Sequence, residues 1–294
     1  MPKGVPVWKL EPPDSAEEGD RRLPNLFVVG VARGGTTSLW HYLSQHPDIF
    51  MSPVKEPYYF SDFYKTSPRF PKDRATYVRL FSGGIGARWR GEASTAYFWD
   101  PSSAARIKKT CPAARILVSL RNPADRAYSE YLQDVRSGHE QRDFVSAIKE
   151  EVARGPTRDG RLNCLSSGFY VEGLERFLQA FGDCVHVLFF EDLAREPRKE
   201  MRRIFAFLEL DPQVGNQLEV TVENRSYVPR RGARRILASR ARRAMPVALK
   251  SRVDRLLLQR SQPVVPPEAQ ALLDELYAPQ RERLTALLQR DLPW

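Results

Sequence analysis

Asn25-Leu26-Phe27-Val28-Val29-Gly30, followed by Val31-Ala32-Arg33-Gly34-Gly35-Thr36-Thr37-Ser38, decides how this chain folds. The first six residues form a short apolar run that ends in glycine, the pattern of a buried parallel strand. From Thr37 to Gln45, Leu39, Trp40 and Leu43 fall on one helical face, and His46-Pro47 stops that helix. A strand, a glycine-rich turn and a helix together present backbone N–H groups and a helix N-terminus to phosphate. Gly34 and Gly35 let the backbone come close, and Thr36, Thr37 and Ser38 add hydroxyl donors. Against the nucleotide pattern GxxxxGK[ST], Gly30 and Gly35 fit, but Thr36 stands in the lysine's place. The cation sits inside the loop instead, as Arg33.

Further strands are expected at Trp89 to Glu92, Arg115 to Leu120 and Val185 to Phe190. Helices are expected over Ala124 to Arg136, after the cap Asp143 (with Phe144, Ile148 and Val152 inside), from Val171 to Phe181 and from Pro197 onward. Strands alternating with helices predict an α/β chain with a three-layer P-loop fold, its central parallel sheet flanked by helices. Residues 1–24 read as a flexible leader, and 25–294 as a single domain whose C-terminal part, 225–294, is basic and helical.

The 294 residues are 42% hydrophobic and 11% aromatic, enough for a full core, which excludes a disordered chain. No apolar run approaches about 18 residues, so no membrane span is expected. Cys111, Cys164 and Cys184 make no disulfide framework, which points to a reducing, cytoplasmic setting. The four histidines lie at no metal-ligand spacing, and no metal is expected. The net charge of +10 is concentrated: residues 225–260 hold eleven Arg, one Lys and a single acid, Asp254. That stretch suits a polyanionic partner or a peripheral contact with an anionic surface. It equally suits a solvated helix, with Ile236, Leu237, Ala241, Ala244 and Met245 inward and arginines outward. No aromatics are interleaved, so nucleic acid is not expected.

The third strand ends Ser119-Leu120-Arg121-Asn122-Pro123. A magnesium-dependent NTPase usually carries an acid there to hold the metal's water shell. An arginine at that place suits a second anion, and Ser129 follows eight residues later on the next helix. Phosphates at two separated places and no metal fit ATP or GTP poorly.

This combination resembles the sulfotransferases that use 3′-phosphoadenosine 5′-phosphosulfate (PAPS). Gly30 to Ser38 match the family's 5′-phosphosulfate loop; Arg121 and Ser129, in LRNPADRAYSEY, match its 3′-phosphate pair. The match continues through HPDI (His46 to Ile49), KEPYYF (Lys55 to Phe60), GEASTAYF (Gly91 to Phe98), FFEDL (Phe189 to Leu193) and the closing DLPW. KEPYYF is similar to the branch with glycan sulfotransferases and many bacterial relatives.

The resemblance implies in-line transfer of sulfonate from PAPS to a hydroxyl, with an amine as second choice, of a carbohydrate or other small-molecule acceptor. It implies Glu56 as the base. Arg33 takes the position where most of the family has lysine, which implies leaving-group stabilisation that is either weaker or shared with Lys55. Many relatives also have lysine after the glutamate of GEASTAYF, where this chain has Ala93, so acceptor specificity does not carry over. Arg230 or Arg225, in Asn224 to Arg231, would add a phosphate contact. Tyr170 reads either as pocket lining or as a core aromatic. The loops 60–90 and 137–168, with Phe60, Phe63, Tyr64, Phe70 and Tyr77, are expected to set the acceptor. Two alternatives stay open: a P-loop kinase acting on a small molecule, and a catalytically weak nucleotide-binding or docking protein of the same fold.

Overall fold

The computed structural model of the chain describes residues 23–64, 70–155, 164–220, 227–230, 232–239, 242, 245–260 and 264–294. Contacts within it cluster into two compact units: residues 1–121, 170–222 and 293 form one, and 122–169, 223–292 and 294 the other. Both units are discontinuous in sequence, which is why no linker marks them.

The first unit holds a five-stranded, wholly parallel sheet in the order β2-β3-β1-β4-β5. Along the chain come β1 (Leu26–Val28), α1 (Thr36–Leu43), β2 (Ile49–Met51), α2 (Arg74–Arg79), β3 (Trp89–Ala93), α3 (Ala96–Trp99), α4 (Ser103–Thr110) and β4 (Arg115–Leu120). Successive side chains of a strand point to opposite faces. On β1, Leu26 and Val28 join one core cluster with Leu39 and Leu43 of α1. Phe27 turns the other way, edge-on to Phe60 at 5.9 Å, and Phe60 meets Tyr77 and Tyr97.

Chain from the second unit, α5 (Pro123–Ser137) and α6 (Phe144–Arg154), intervenes before the first resumes with α7 (Val171–Phe181), β5 (Val185–Phe189), α8 (Phe190–Arg195) and α9 (Pro197–Phe207). Helix α7 packs on β4 and β5. Helix α9 adds Met201, Ile204 and Phe205 to the Leu26 cluster. The sheet is therefore flanked by helices, the expected α/β P-loop-type architecture. β2 is the strand the sequence pattern does not reveal.

The second unit is mainly helical. It adds β6 (Tyr227–Pro229), α10 (Ala233–Ala238), α11 (Val247–Leu257), β7 (Leu258–Arg260) and α12 (Pro267–Leu288), with β6 and β7 paired antiparallel. Its core joins Ala127, Tyr131 and Val135 of α5, Phe144 and Ile148 of α6, Leu237, and Leu273 and Tyr277 of α12. Val152, expected inside, is exposed.

The expected helix with arginines outward needs correcting at Ile236 and Arg242, while Ala241 and Ala244 lie outside the described residues. Leu237 is buried, but Ile236 is exposed, and α10 ends before Ser239. Arg242 points inward at 1% exposure. Its guanidinium reaches Asp254 Oδ1 at 2.6 and 2.8 Å, Leu237 O at 3.0 Å and Arg136 O at 2.9 Å. A buried guanidinium is tolerable only when its donors are met in this way.

Candidate active site

Parallel sheets of this kind bind ligands in the crevice outside the carboxyl ends of their strands. At the end of β1 the chain continues beside β4: Val29 N–H donates to Leu117 O at 3.0 Å and Val31 N–H to Ser119 O at 2.9 Å. A Cβ on Gly30 would lie 2.0 Å from Ser119 N, so only glycine permits that approach. Ser119 Oγ donates back to Gly34 O. Gly35 takes φ +80° and caps α1 without any side-chain hydrogen bond, and Arg33 holds φ +69°. A left-handed arginine is a strained position, of the kind that clusters at ligand sites. With Gly35 offering no side chain to its first turn, α1 begins with N–H groups turned to an incoming anion. Thr36 is buried, while Thr37 and Ser38 are half-buried. This donor set fits a phosphosulfate.

Arg121, just past β4, is built into the same loop. Its Nη1 donates to Arg33 O at 3.0 Å, and its guanidinium lies 4.5 Å from the centre of the Phe190 ring. A Cβ on Gly35 would come within 2.7 Å of that ring, so Phe190 packs against the loop and the arginine together. The hydroxyl of Tyr170 donates to Arg121 O at 2.8 Å. Tyr170 is buried and meets Phe98 and Trp99, so it acts as a core aromatic that ties down the strand end. Ser129 is buried on α5 in the second unit. Arg230 is exposed in that unit, its backbone N–H on Leu257 O at 2.8 Å. Arg225 lies outside the described residues.

Lys55 and Glu56 follow β2 and are brought to the end of β3. Glu56 N–H donates to Ala93 O at 2.9 Å, and Glu56 sits at φ +62°. Lys55 Nζ meets Glu56 Oε1 at 2.5 Å, with each side chain 22% exposed. The other oxygen, Oε2, accepts Thr95 N–H at 2.8 Å and the Thr95 hydroxyl at 3.3 Å. The carboxylate is thus fixed between a lysine and the turn after β3. Ser94 N–H, one residue earlier, donates to Val28 O at 3.0 Å, which sets this turn directly beside the end of β1.

Beneath the turn lies Glu92, wholly buried. It accepts from Ser94 Oγ at 2.7 Å, from the Tyr97 hydroxyl at 2.9 Å and from the Tyr77 hydroxyl. Burial pushes its carboxyl up to about 7, against the pull of these donors. Ser94 Oγ in turn accepts Tyr58 N–H at 3.2 Å, so Glu92 steadies the Lys55–Phe60 segment from below. Thr95, Phe190 and Tyr77 are the site-forming residues that sequence reasoning does not single out for these roles. Thr95 and Phe190 lie within the quoted blocks GEASTAYF and FFEDL. Among the described residues no cluster of His, Cys, Asp or Glu could hold a metal ion.

A family profile described as a sulfotransferase domain matches residues 23–234. The chain is 31% identical over 203 residues to the mouse bifunctional heparan sulfate N-deacetylase/N-sulfotransferase 1, covering 66% of this chain and 23% of that protein. It is 30% identical over 200 residues to the human heparan sulfate glucosamine 3-O-sulfotransferase 6, covering 67% of this chain and 56% of that protein. The matches therefore span about a quarter to a half of these relatives. Among solved structures, the sulfotransferase from Alicyclobacillus acidocaldarius superposes with a TM-score of 0.68 at 30% identity, covering 92% of this chain and 97% of that one. The mouse sulfotransferase SULT7A1 complexed with PAP shares the fold at a TM-score of 0.52 and 15% identity, over 88% and 84% of the two chains. From the loop at β1 to the carboxylate beside β3, with a domain profile spanning residues 23–234, the chain belongs to the PAPS-dependent sulfotransferase family.

Proposed function

We propose that this chain transfers sulfonate from PAPS to a hydroxyl of a carbohydrate acceptor. The observation that carries the reading is the bond from Arg121 to the Arg33 carbonyl, which makes one rigid unit of the phosphate loop and the second cationic position. The glycan acceptor is supported by the names of the heparan sulfate relatives. When bound, PAPS supplies the sulfonate and leaves as adenosine 3′,5′-bisphosphate.

The loop residues Gly34, Gly35, Thr36, Thr37 and Ser38 hold the 5′-phosphosulfate through backbone and hydroxyl donors. Arg121 takes the 3′-phosphate; Ser129 and Arg230 are the residues of the second unit that the family resemblance assigns to phosphate. Glu56 accepts the acceptor's hydroxyl proton as the new O–S bond forms and the bond from sulfur to the 5′-phosphate oxygen breaks. Arg33 stabilises the charge that develops on that phosphate, with Lys55 as its partner. No metal is required in this scheme.

Calorimetric titration with adenosine 3′,5′-bisphosphate, without metal, tests the donor site beside ATP with magnesium. Binding of the bisphosphate, followed by transfer of labelled sulfonate from PAPS to a desulfated glycan, is the expected result. Binding of ATP alone overturns the reading in favour of a kinase. Tight bisphosphate binding without transfer to any acceptor favours a binding protein.

A further inference from the structure

The basic stretch 225–260 gains a specific geometry in α11. The single acid of that stretch, Asp254, is turned inward onto the buried Arg242. This pair cancels itself, and the rest of the stretch has eleven basic residues and no acid. Half-buried Val253 and Leu257 also face in, with Leu257 against the core of the second unit. The outer side of the same helix carries Leu249 and Leu256, seven residues apart and so on one line of the surface. They are 48% and 74% exposed; at 100° per residue Val253 borders this line on the inner side, and the exposed Arg252 and Arg255 border it on the other.

The apolar stripe of this helix therefore runs from its own core out to two exposed leucines, where it meets two cations, so apolar and cationic side chains share one exposed edge. A soluble polyanion such as a sulfated glycan would pair with the arginines and leave both leucines in water. An anionic bilayer satisfies both at once: arginines at the headgroups, leucines at the acyl boundary, and a helix of roughly 16 Å lying in the interface. We propose that the outer face of α11 docks the protein on an anionic lipid surface. No helix among the described residues is long and apolar enough to cross a membrane.

Flotation of the full chain with vesicles tests this, comparing phosphatidylcholine alone with phosphatidylcholine containing phosphatidylglycerol. The expected result is binding to the anionic vesicles only, weakening as salt rises. Leu249→Ser/Leu256→Ser is expected to lower that binding at least about tenfold, with circular dichroism and retention on a heparin column unchanged. Arg252→Ser/Arg255→Ser is expected to weaken it and flatten its salt dependence. Absence of flotation with either vesicle overturns the proposal. So does full vesicle binding by the leucine variant, which would assign the arginines to a soluble polyanion. A drop in the sedimentation mass of the vesicle-free protein on changing the leucines would give the face to a second copy of the chain instead.

Discussion

Arg121 donates its Nη1 to the carbonyl oxygen of Arg33 at 3.0 Å, so the cation beyond β4 holds the loop beyond β1 by its most strained residue. Arg121→Ala removes both the proposed phosphate ligand and this brace. Loss of a hydrogen bond from a charged group is worth about 1.5–3 kcal/mol. Bisphosphate affinity should therefore fall by roughly ten- to a hundredfold. Titration calorimetry reads it, and Arg121→Lys should recover only part because a point charge cannot span the carbonyl and an anion together.

Glu56→Gln leaves an amide oxygen to accept from Thr95 where Oε2 does now, but removes the proposed proton acceptor. The turnover of sulfonate transfer should drop by about 10²- to 10⁴-fold, with bisphosphate affinity unchanged. Equal loss of both quantities would show that the residue supports the loop and not the chemistry.

Gly35→Ala meets two obstacles at once: a φ of +80° and a ring carbon of Phe190 at 2.7 Å from the new methyl. Destabilisation of about 1–3 kcal/mol is expected in chemical denaturation. Phe190→Leu in the same background should relieve the clash and restore part of the loss, which a purely conformational penalty would not allow.

Glu92 gives a pH signature. Its carboxyl is raised to about 7 by burial, so between the ordinary carboxylate range and pH 7 the folded chain holds a proton that the unfolded chain has lost. Stability attributable to this group is present below that window and declines as pH rises through it. Glu92→Gln should flatten the decline, gaining on the parent by up to about 3 kcal/mol between pH 4.5 and 8. Urea denaturation at those two pH values measures it, and a parallel pH response in both proteins would refute the assignment.

Arg242→Leu strands Asp254 and two carbonyl groups inside the second unit. A loss of about 3 kcal/mol is expected in thermal or urea unfolding, moderated because Asp254 keeps some solvent. Arg242→Leu/Asp254→Leu should recover much of it, since replacing both partners leaves no charge unpaired.

Much of the sheet is legible in the residues alone. RILVSL reads as β4 with its observed bounds, and NLFVVG and the strand from Val185 as β1 and β5, because central parallel strands are continuous apolar runs. Ile49–Met51 escapes because three residues carry no period. The phosphate loop and Arg121 are legible because their chemistry depends on residue type at fixed spacing. Thr95 beneath Glu56, and Phe190 between Gly35 and Arg121, are not, since strand adjacency brings them together from distant parts of the chain. Arg242 shows the limit of charge counting: composition places it on the surface, and one carboxylate with two carbonyls places it inside.

The hydroxyl of Tyr277 on α12 donates to Leu165 O at 2.8 Å and lies where a Cβ on Gly168 would fall. The sulfotransferase match ends at residue 234, well before that tyrosine. The end of the matched profile is therefore not a boundary of folding. A gene fragment trimmed to the matched region would carry α5 and α6 but not the helix that completes their core, and would be expected to yield insoluble protein.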